Sequence, residues 1–386
     1  MDGNSNTNES ILLVVDSIYP AMAGAEKQVS TISKFFIGGG RSVNIVAVRR
    51  PNTERMEYID DVPVWRVGLP FHIRGLSGLA YLTGIMWFLF RHRNLYSVVH
   101  IQKAHYTAAV ATVVTKLLRK RILVKVTGYS EIKEGVLNQD LKGPRWSLMR
   151  AILRHANFQA TSSEIGQRLS NAGVPDENVF LIPNAVDVQR FPAQAAQHPL
   201  APRVAVFLGR LVPEKGLEVF LQAWNMSGCH NQFTLLVAGD GQSKDSLLKL
   251  VSELNLEQSV TFLGGVSDVP ALLAQAHVAV LPSYFEGLSN SLLEYMAASL
   301  PVIGSAVSGT TDLVKIGETG WIFPPGDIEA CSSAITQMCD TSGEDLAGLG
   351  ANARAMVSDH ASTRVVLEKL TRAYGFSCED DVSCVE

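Results

Sequence analysis

Cysteine is scarce in this 386-residue chain, with only Cys229, Cys331, Cys339, Cys378 and Cys384 present. None shows a paired metal spacing, and an odd number in a long chain fits a reducing cytoplasm better than a disulfide scaffold. Apolar runs of spanning length are lacking too. The segment Leu76–Phe90 has 15 residues, short of the roughly 20 that cross a bilayer. It reads as a helix buried between a sheet and its neighbours, although the Arg91-His92-Arg93 flank leaves an interfacial helix open. Met1–Ser10 is polar and leads into a short strand, so no N-terminal signal is expected. No short-period repeat is visible. The expected location is cytoplasmic, with peripheral contact on the inner face of a membrane as an option.

Basic charge is scarce in the second half only. Residues 1–190 carry 23 Lys+Arg against 15 Asp+Glu, net +8; residues 191–386 carry 10 against 22, net −12, and these sum to −4. A basic first half fits a negatively charged partner, either a lipid diphosphate or an anionic membrane surface. Arg91-His92-Arg93 and Lys116-Leu117-Leu118-Arg119-Lys120-Arg121 are the clusters concerned, and solvated helix ends would give the same letters. Nucleic acid is not expected, because no reading motif accompanies the charge.

What is present is apolar periodicity. Apolar content of 47% supplies core for two domains. Runs at Ile11–Val15, Val43–Val48, Val98–Ile101, Ile122–Val126 and Val179–Ile182 are mostly separated by helix-length segments. A second set follows at 204–209, 233–238, 260–263, 278–282 and 301–303. Strands alternating with helices predict an α/β fold of parallel sheets covered on both faces, with ligands at the carboxyl ends of the strands. The expected organisation is two Rossmann-like domains facing across a cleft: a first domain over 1–190, a linker over 191–201 and a second domain over 202–360. A helix over 361–376 and a frayed acidic tail over 377–386 follow.

The densest chemistry lies in Glu286-Gly287-Leu288-Ser289-Asn290-Ser291-Leu292-Leu293-Glu294. Glu286 is expected in a loop at a strand end and Glu294 in the first turns of the following helix. Between them, side-chain caps and free N–H groups suit an anionic ligand, with a carboxylate at either end for hydroxyls. Arg210 and Lys215 occupy one strand-to-helix loop after Val204–Gly209. A guanidinium and an ammonium there can hold a diphosphate, and cations at the positive end of a helix dipole want an anion to offset them.

Several further segments extend this pattern: Gly209-Arg210-Leu211 with Lys215-Gly216, Ala238-Gly239-Asp240-Gly241, and Val260-Thr261-Phe262-Leu263-Gly264. The E-x₇-E segment, Met296-Ala297, Leu300-Pro301-Val302-Ile303, and Gly320 with Pro325-Gly326-Asp327 follow in order. Together they resemble the retaining glycosyltransferases of GT-B fold, family 4, also called glycosyl transferases group 1. The first half resembles that family more loosely, through Gly24-Ala25-Glu26 and Ile182-Pro183-Asn184-Ala185-Val186-Asp187.

The resemblance implies roles. Arg210 and Lys215 would bind the nucleotide diphosphate and stabilise the leaving group. Glu286 would contact the donor sugar and Glu294 the ribose diol. The amides of Gly287, Leu288 and Ser289 would hold phosphate or sugar oxygens, and Leu263-Gly264, beyond Gly209, would face the base. The last helix would cross back onto the first domain. The implied partners are a nucleotide-sugar donor, UDP- or GDP-linked, and a glycan, lipid-linked or small-molecule acceptor. On the acceptor side, Gly24 matches the family's glycine-rich turn, although a structural turn reads equally well. Many relatives carry a histidine after the strand corresponding to Ile122–Val126, where this chain has Thr127-Gly128-Tyr129-Ser130-Glu131. No catalytic histidine is therefore nominated, and Tyr129 and Glu131 are the acceptor-side candidates. His100 and His105 read as structural. No Asp-x-Asp motif occupies a strand-end loop, so no cofactor and no divalent metal is expected. A nucleotide-sugar epimerase of the same fold and a non-catalytic nucleotide-sugar-binding partner stay open as alternatives.

Overall fold

The computed structural model describes residues 9–16, 24–70, 76–128, 142–192 and 203–377. By contacts the chain divides into two compact units, residues 1–183 with 364–386, and residues 184–363.

In the first unit, eight strands form one sheet: β1 (Ser10–Val15), β2 (Ser42–Val48), β3 (Met56–Ile59), β4 (Val62–Val67), β5 (Val98–Ile101), β6 (Arg121–Val126), β7 (Asn157–Ala160) and β8 (Val179–Leu181). Their order is β3-β4-β2-β1-β5-β6-β7-β8, parallel apart from the β3–β4 hairpin. The central strands are rich in Val, Ile and Leu because helices cover both of their faces; β1 is buried along nearly its whole length. The edge hairpin turns at Asp60 and Asp61, both at positive φ, the two-residue turn whose twist matches its strands. Arg66, buried on β4, is neutralised by an ion pair with Glu57 on β3.

From Arg364 onward, the helix Thr363–Tyr374 groups with this unit. The buried Tyr374 hydroxyl lies 2.7 Å from His100 Nδ1 on β5, and Arg121 donates to the Tyr374 carbonyl at 2.7 Å. Phe36 packs on the Tyr374 ring with centroids 5.5 Å apart.

The second unit has six strands: β9 (Arg203–Leu208), β10 (Phe233–Ala238), β11 (Val260–Gly264), β12 (Val278–Leu281), β13 (Val302–Ser305) and β14 (Gly320–Phe323). All are parallel, in the order β11-β10-β9-β12-β13-β14. That order reverses between β9 and β12, so loops leaving those two strands part at a switch point. Helices Leu217–Ser227 and Ile328–Asp340 contribute to the core on one side of the sheet. Phe220 and Trp224 are fully buried there, worth on the order of 3 kcal/mol each. Helices Asn290–Ala297 and Gly343–Ala361 contribute to the other cluster.

The division at 183/184 falls ahead of the expected 191–201 linker, and Asn184–Pro192 groups with the second unit. Arg354 fastens this stretch by donating to the carbonyls of Phe191 at 2.7 Å and Val188 at 3.1 Å. Residues 193–202 lie outside the described residues, as do Tyr129 and Glu131.

Candidate active site

The expected donor residues come together at the carboxyl edge of the second sheet. β9 ends at Leu208, and Gly209 and Arg210 begin a loop through the short helical turn Pro213–Lys215 into helix Leu217–Ser227. β12 ends at Leu281, and its loop runs through Glu286 to helix Asn290–Ala297. These are the strands that flank the switch point.

Backbone contacts hold the loops against one another. Tyr284 N–H donates to the Glu214 carbonyl at 2.9 Å. Gly216, at φ +64, lies so close to the Pro282 carbonyl that a Cβ would overlap its oxygen. On the other flank, a Cβ on Gly239 (φ +141) would overlap the Gly209 carbonyl oxygen, and Leu211 N–H donates to the Asp240 carbonyl at 2.9 Å. Glycine is thus required at two of these loop contacts, Gly216 against Pro282 and Gly239 against Gly209.

Lys215 and Glu286 form an ion pair between the two loops, with 17% and 13% of their side chains exposed. Ser283 Oγ donates to the same oxygen, Glu286 Oε1, at 2.9 Å. Ser283 is itself held by the buried Ser305 hydroxyl, which donates to its carbonyl. Both bonds converge on Oε1, so the carboxylate is oriented with Oε2 left over. Sequence reasoning expected Lys215 and Glu286 to serve different parts of a ligand; their pairing across 71 positions needed the fold. Arg210 is exposed, and no ion pair or hydrogen bond holds its guanidinium among the described residues.

Gly287, Leu288 and Ser289 are buried, and their N–H groups donate to no backbone carbonyl among the described residues. Ser289 caps helix Asn290–Ala297 by position, without a side-chain cap bond. Buried, unengaged donors ahead of a helix form an anion-binding arrangement. Asn184 fixes this turn from outside, its Nδ2 donating to the Leu288 carbonyl at 3.0 Å and to Asn290 Oδ1 at 2.9 Å. Asn184 belongs to the Ile182–Asp187 segment, and no role was expected of it. Its signal is only a polar residue beside Pro183, so sequence inspection had no handle on it.

Glu294 is half-buried one turn into the helix. Its neighbour Tyr295 turns inward and ties the helix to β9: its hydroxyl accepts from Leu208 N–H at 2.6 Å. Burial pushes the Tyr295 hydroxyl pKa well up, so it stays protonated. Leu263 is the exposed residue at an irregularity where β11 slips against β10, and Gly264 follows at φ +69, its carbonyl accepting from Gly239 N–H at 2.7 Å. Gly24 opens helix Gly24–Gly38 in the first unit.

Two family models match the chain: the glycosyl transferases group 1 over residues 189–356 and the glycosyl transferase 4-like domain over residues 23–185. Among solved structures, sucrose-phosphate synthase from Thermosynechococcus elongatus superposes with a TM-score of 0.78 at 23% identity, covering 95% of this chain and 98% of that one. Anabaena Alr3699/HepE, in complex with UDP and glucose, does so with a TM-score of 0.73 at 19% identity, covering 95% and 100%. Among curated relatives, the Escherichia coli UDP-Gal:alpha-D-GlcNAc-diphosphoundecaprenol alpha-1,3-galactosyltransferase is 27% identical over 175 residues, 42% of this chain and 45% of that protein. The chain spans about half the length, or less, of such curated relatives. With one model on each unit and these fold neighbours over nearly its whole length, the chain belongs to the group 1 glycosyltransferases of GT-B fold.

Proposed function

We propose that this protein is a retaining glycosyltransferase that moves a hexose-type sugar from a nucleoside-diphosphate sugar to a hydroxyl acceptor, without a divalent metal, in envelope or exopolysaccharide assembly. The observation that carries the reading is the junction of the β9 and β12 loops. An exposed Arg210, a Lys215–Glu286 pair and the unengaged N–H groups of Gly287, Leu288 and Ser289 meet at one switch point. The HepE complex with UDP and glucose, and the UDP-Gal in the galactosyltransferase's name, support a UDP-linked donor.

In this reading the diphosphate draws Lys215 partly away from Glu286, because two phosphate charges outweigh one carboxylate at similar distance. Arg210 closes on the phosphate oxygens as a fork. Glu286, still held by Ser283, accepts from a donor-sugar hydroxyl through Oε2, while Glu294 accepts from the ribose diol. The bond between the anomeric carbon and the phosphate oxygen then breaks, its electron pair staying on the diphosphate. The cations and amides stabilise that developing charge, the term that matters most for an oxocarbenium-like transition state. The acceptor oxygen bonds to the anomeric carbon from the face the phosphate leaves, and its proton passes to the departing phosphate oxygen. Retention follows without a protein base, and positioning supplies the rest.

The test is calorimetry and thermal shift with UDP, GDP, ADP and TDP without metal, on wild type, Lys215→Ala and Glu294→Ala. One nucleotide, expected to be UDP, should stabilise wild type, and both variants should lose that stabilisation. Wild type indifferent to all four would defeat the reading.

A further inference from the structure

Helix Leu76–Arg91 of the first unit has two apolar faces, and only one is buried among the described residues. Tyr81, Ile85, Phe88 and Leu89 are buried against the unit's core. The other face leaves Leu79, Met86, Trp87 and Phe90 in solvent, with Leu79 at 59% and Trp87 at 61% exposure. With Thr83 they recur at helical spacing and form one stripe. Thr83 brings no unmet polar group to it, because its hydroxyl donates to the Leu79 carbonyl at 2.9 Å. The helix contacts its neighbour Tyr106–Leu117, which exposes Val113 and Leu117, the latter at 69%. A soluble surface tolerates single exposed apolar residues; a ridge containing a largely exposed Trp and Leu calls for a partner.

Charge identifies that partner. Between Val62 and Ser130 the sequence carries ten Lys and Arg and no Asp or Glu. Arg91, Arg93, Lys116 and Arg119 stand exposed at the C-terminal ends of the two helices, and none forms an ion pair among the described residues. Cations at helix ends complement the dipole, which accounts for one or two of them. It does not account for the absence of every acid from the same stretch, nor for the stripe beside them. A Trp- and Leu-bearing stripe bordered by Lys and Arg is the pattern of a helix lying in a lipid headgroup layer. At 16 residues, with Arg91-His92-Arg93 at its C-terminal end, the helix lies on such a layer rather than across it, and no described helix is long and apolar enough to span a membrane.

We propose that the exposed face of helix Leu76–Arg91 docks this protein on an anionic phospholipid surface, with Trp87, Leu79 and Phe90 entering the interface and Arg91, Arg93 and Lys116 on the headgroups. The proposal stands independently of the donor-site reading, since it uses no residue of the second unit.

The experiment is co-sedimentation with vesicles of phosphatidylglycerol and phosphatidylcholine, against pure phosphatidylcholine, at about 0.1 M salt. Wild type is expected on the anionic vesicles, with Trp87 fluorescence quenched by brominated lipid. The triple variant Leu79→Ser/Trp87→Ser/Phe90→Ser should stay in the supernatant. Arg91→Glu/Arg93→Glu/Lys116→Glu should bind at least on the order of tenfold more weakly. All six residues are at the surface, so both variants should keep the wild-type melting temperature; a variant that melts early is replaced by the single change Trp87→Ser, read by the same quenching. Failure of wild type to bind, or binding that neither variant weakens, overturns the proposal. So does a dimer in sedimentation equilibrium that Trp87→Ser dissociates without any lipid binding, because the stripe would then belong to a second copy.

Discussion

The two sheets share a topological device and use charge in opposite ways. Each reverses its strand order next to its first strand, at β1/β5 in one and β9/β12 in the other. The second unit has few cations, yet two of them stand on a single loop at its switch point, and one meets a carboxylate from the opposing loop. In the first unit cations are plentiful, and Arg91, Lys116, Arg150 and Arg168 each sit in the last turn of a helix. Net charge therefore says where a molecule meets a charged partner and does not locate its chemistry. Close backbone approach locates that better, since Gly216, Gly239, Gly241 and Gly309 each sit against a carbonyl of a neighbouring loop in the second unit.

The largest effect expected from this difference is at Gly239. Gly239→Ala puts a Cβ into the Gly209 carbonyl at a φ of +141 that alanine rejects. The clash and the strain together should cost about 4 kcal/mol or more. Gly40→Ala in the first unit shares the positive φ, +75, but a Cβ there meets nothing within 4 Å. Its cost should be only about 1 kcal/mol. Chemical denaturation of both variants measures the contrast, and equal losses would show that the site glycines owe nothing to loop contact.

The next effect is kinetic. Lys215→Ala should lower kcat by about 10²- to 10³-fold, the usual consequence of removing one preorganised charge from a transition state. Folding should suffer less, because Glu286 keeps the Ser283 hydrogen bond and part of its solvent contact. Steady-state rates with donor and acceptor, beside a melting curve, separate the two. A variant that loses stability and keeps kcat would make the Lys215–Glu286 pair a brace and leave Arg210 alone on the phosphates.

The strands of the second unit and the loops that meet at its switch point were largely legible in sequence. Glycines, cations and carboxylates at strand ends have few other uses, and the strands leading to them are plain apolar runs. What stayed hidden has physical reasons. β4 alternates buried and half-buried positions, the edge strand β3 buries none fully, and their turn is Asp-Asp where a glycine would have announced it. β7 reads Asn-Phe-Gln-Ala, polar letters that are nonetheless buried, with Gln159 donating to the Ile182 carbonyl at 2.9 Å. β14 begins on a glycine pressed against the Val302 carbonyl. The Lys215–Glu286 pairing and the Asn184 clasp join residues far apart in the chain, and no periodicity reports that. Helix Leu76–Arg91 shows the converse limit: apolar letters gave its length but not which face found a partner.

The smallest effect sharpens the contrast by pH. His100 is buried on β5 in the first unit. Burial and the charge of Lys125 push its pKa from 6.5 down to about 3, with the neighbouring Gln159 side chain acting weakly the other way. The folded state therefore holds the imidazole neutral throughout the range in which the unfolded chain takes up a proton. The sign follows directly. Above pH 6.5 neither state is protonated and His100 contributes no pH dependence. Below 6.5 the unfolded state alone gains the proton, and stability falls by about 1.4 kcal/mol for each further unit until the folded pKa is reached. Between pH 6.5 and 5.5, where most carboxylates remain ionised, that single group should supply a loss of about 1 kcal/mol. His100→Gln removes this titration and keeps a group able to bond Tyr374, so its stability should fall less steeply across the window, with His92, also lowered by burial, still contributing. Denaturation at pH 7.5, 6.5 and 5.5 reads the slope, and a slope unchanged in the variant would assign the acid sensitivity elsewhere. Because His100 holds Tyr374 at 2.7 Å, the same acidification should loosen helix Thr363–Tyr374 first, and amide exchange along that helix would register it before any change at Lys215 or Glu286.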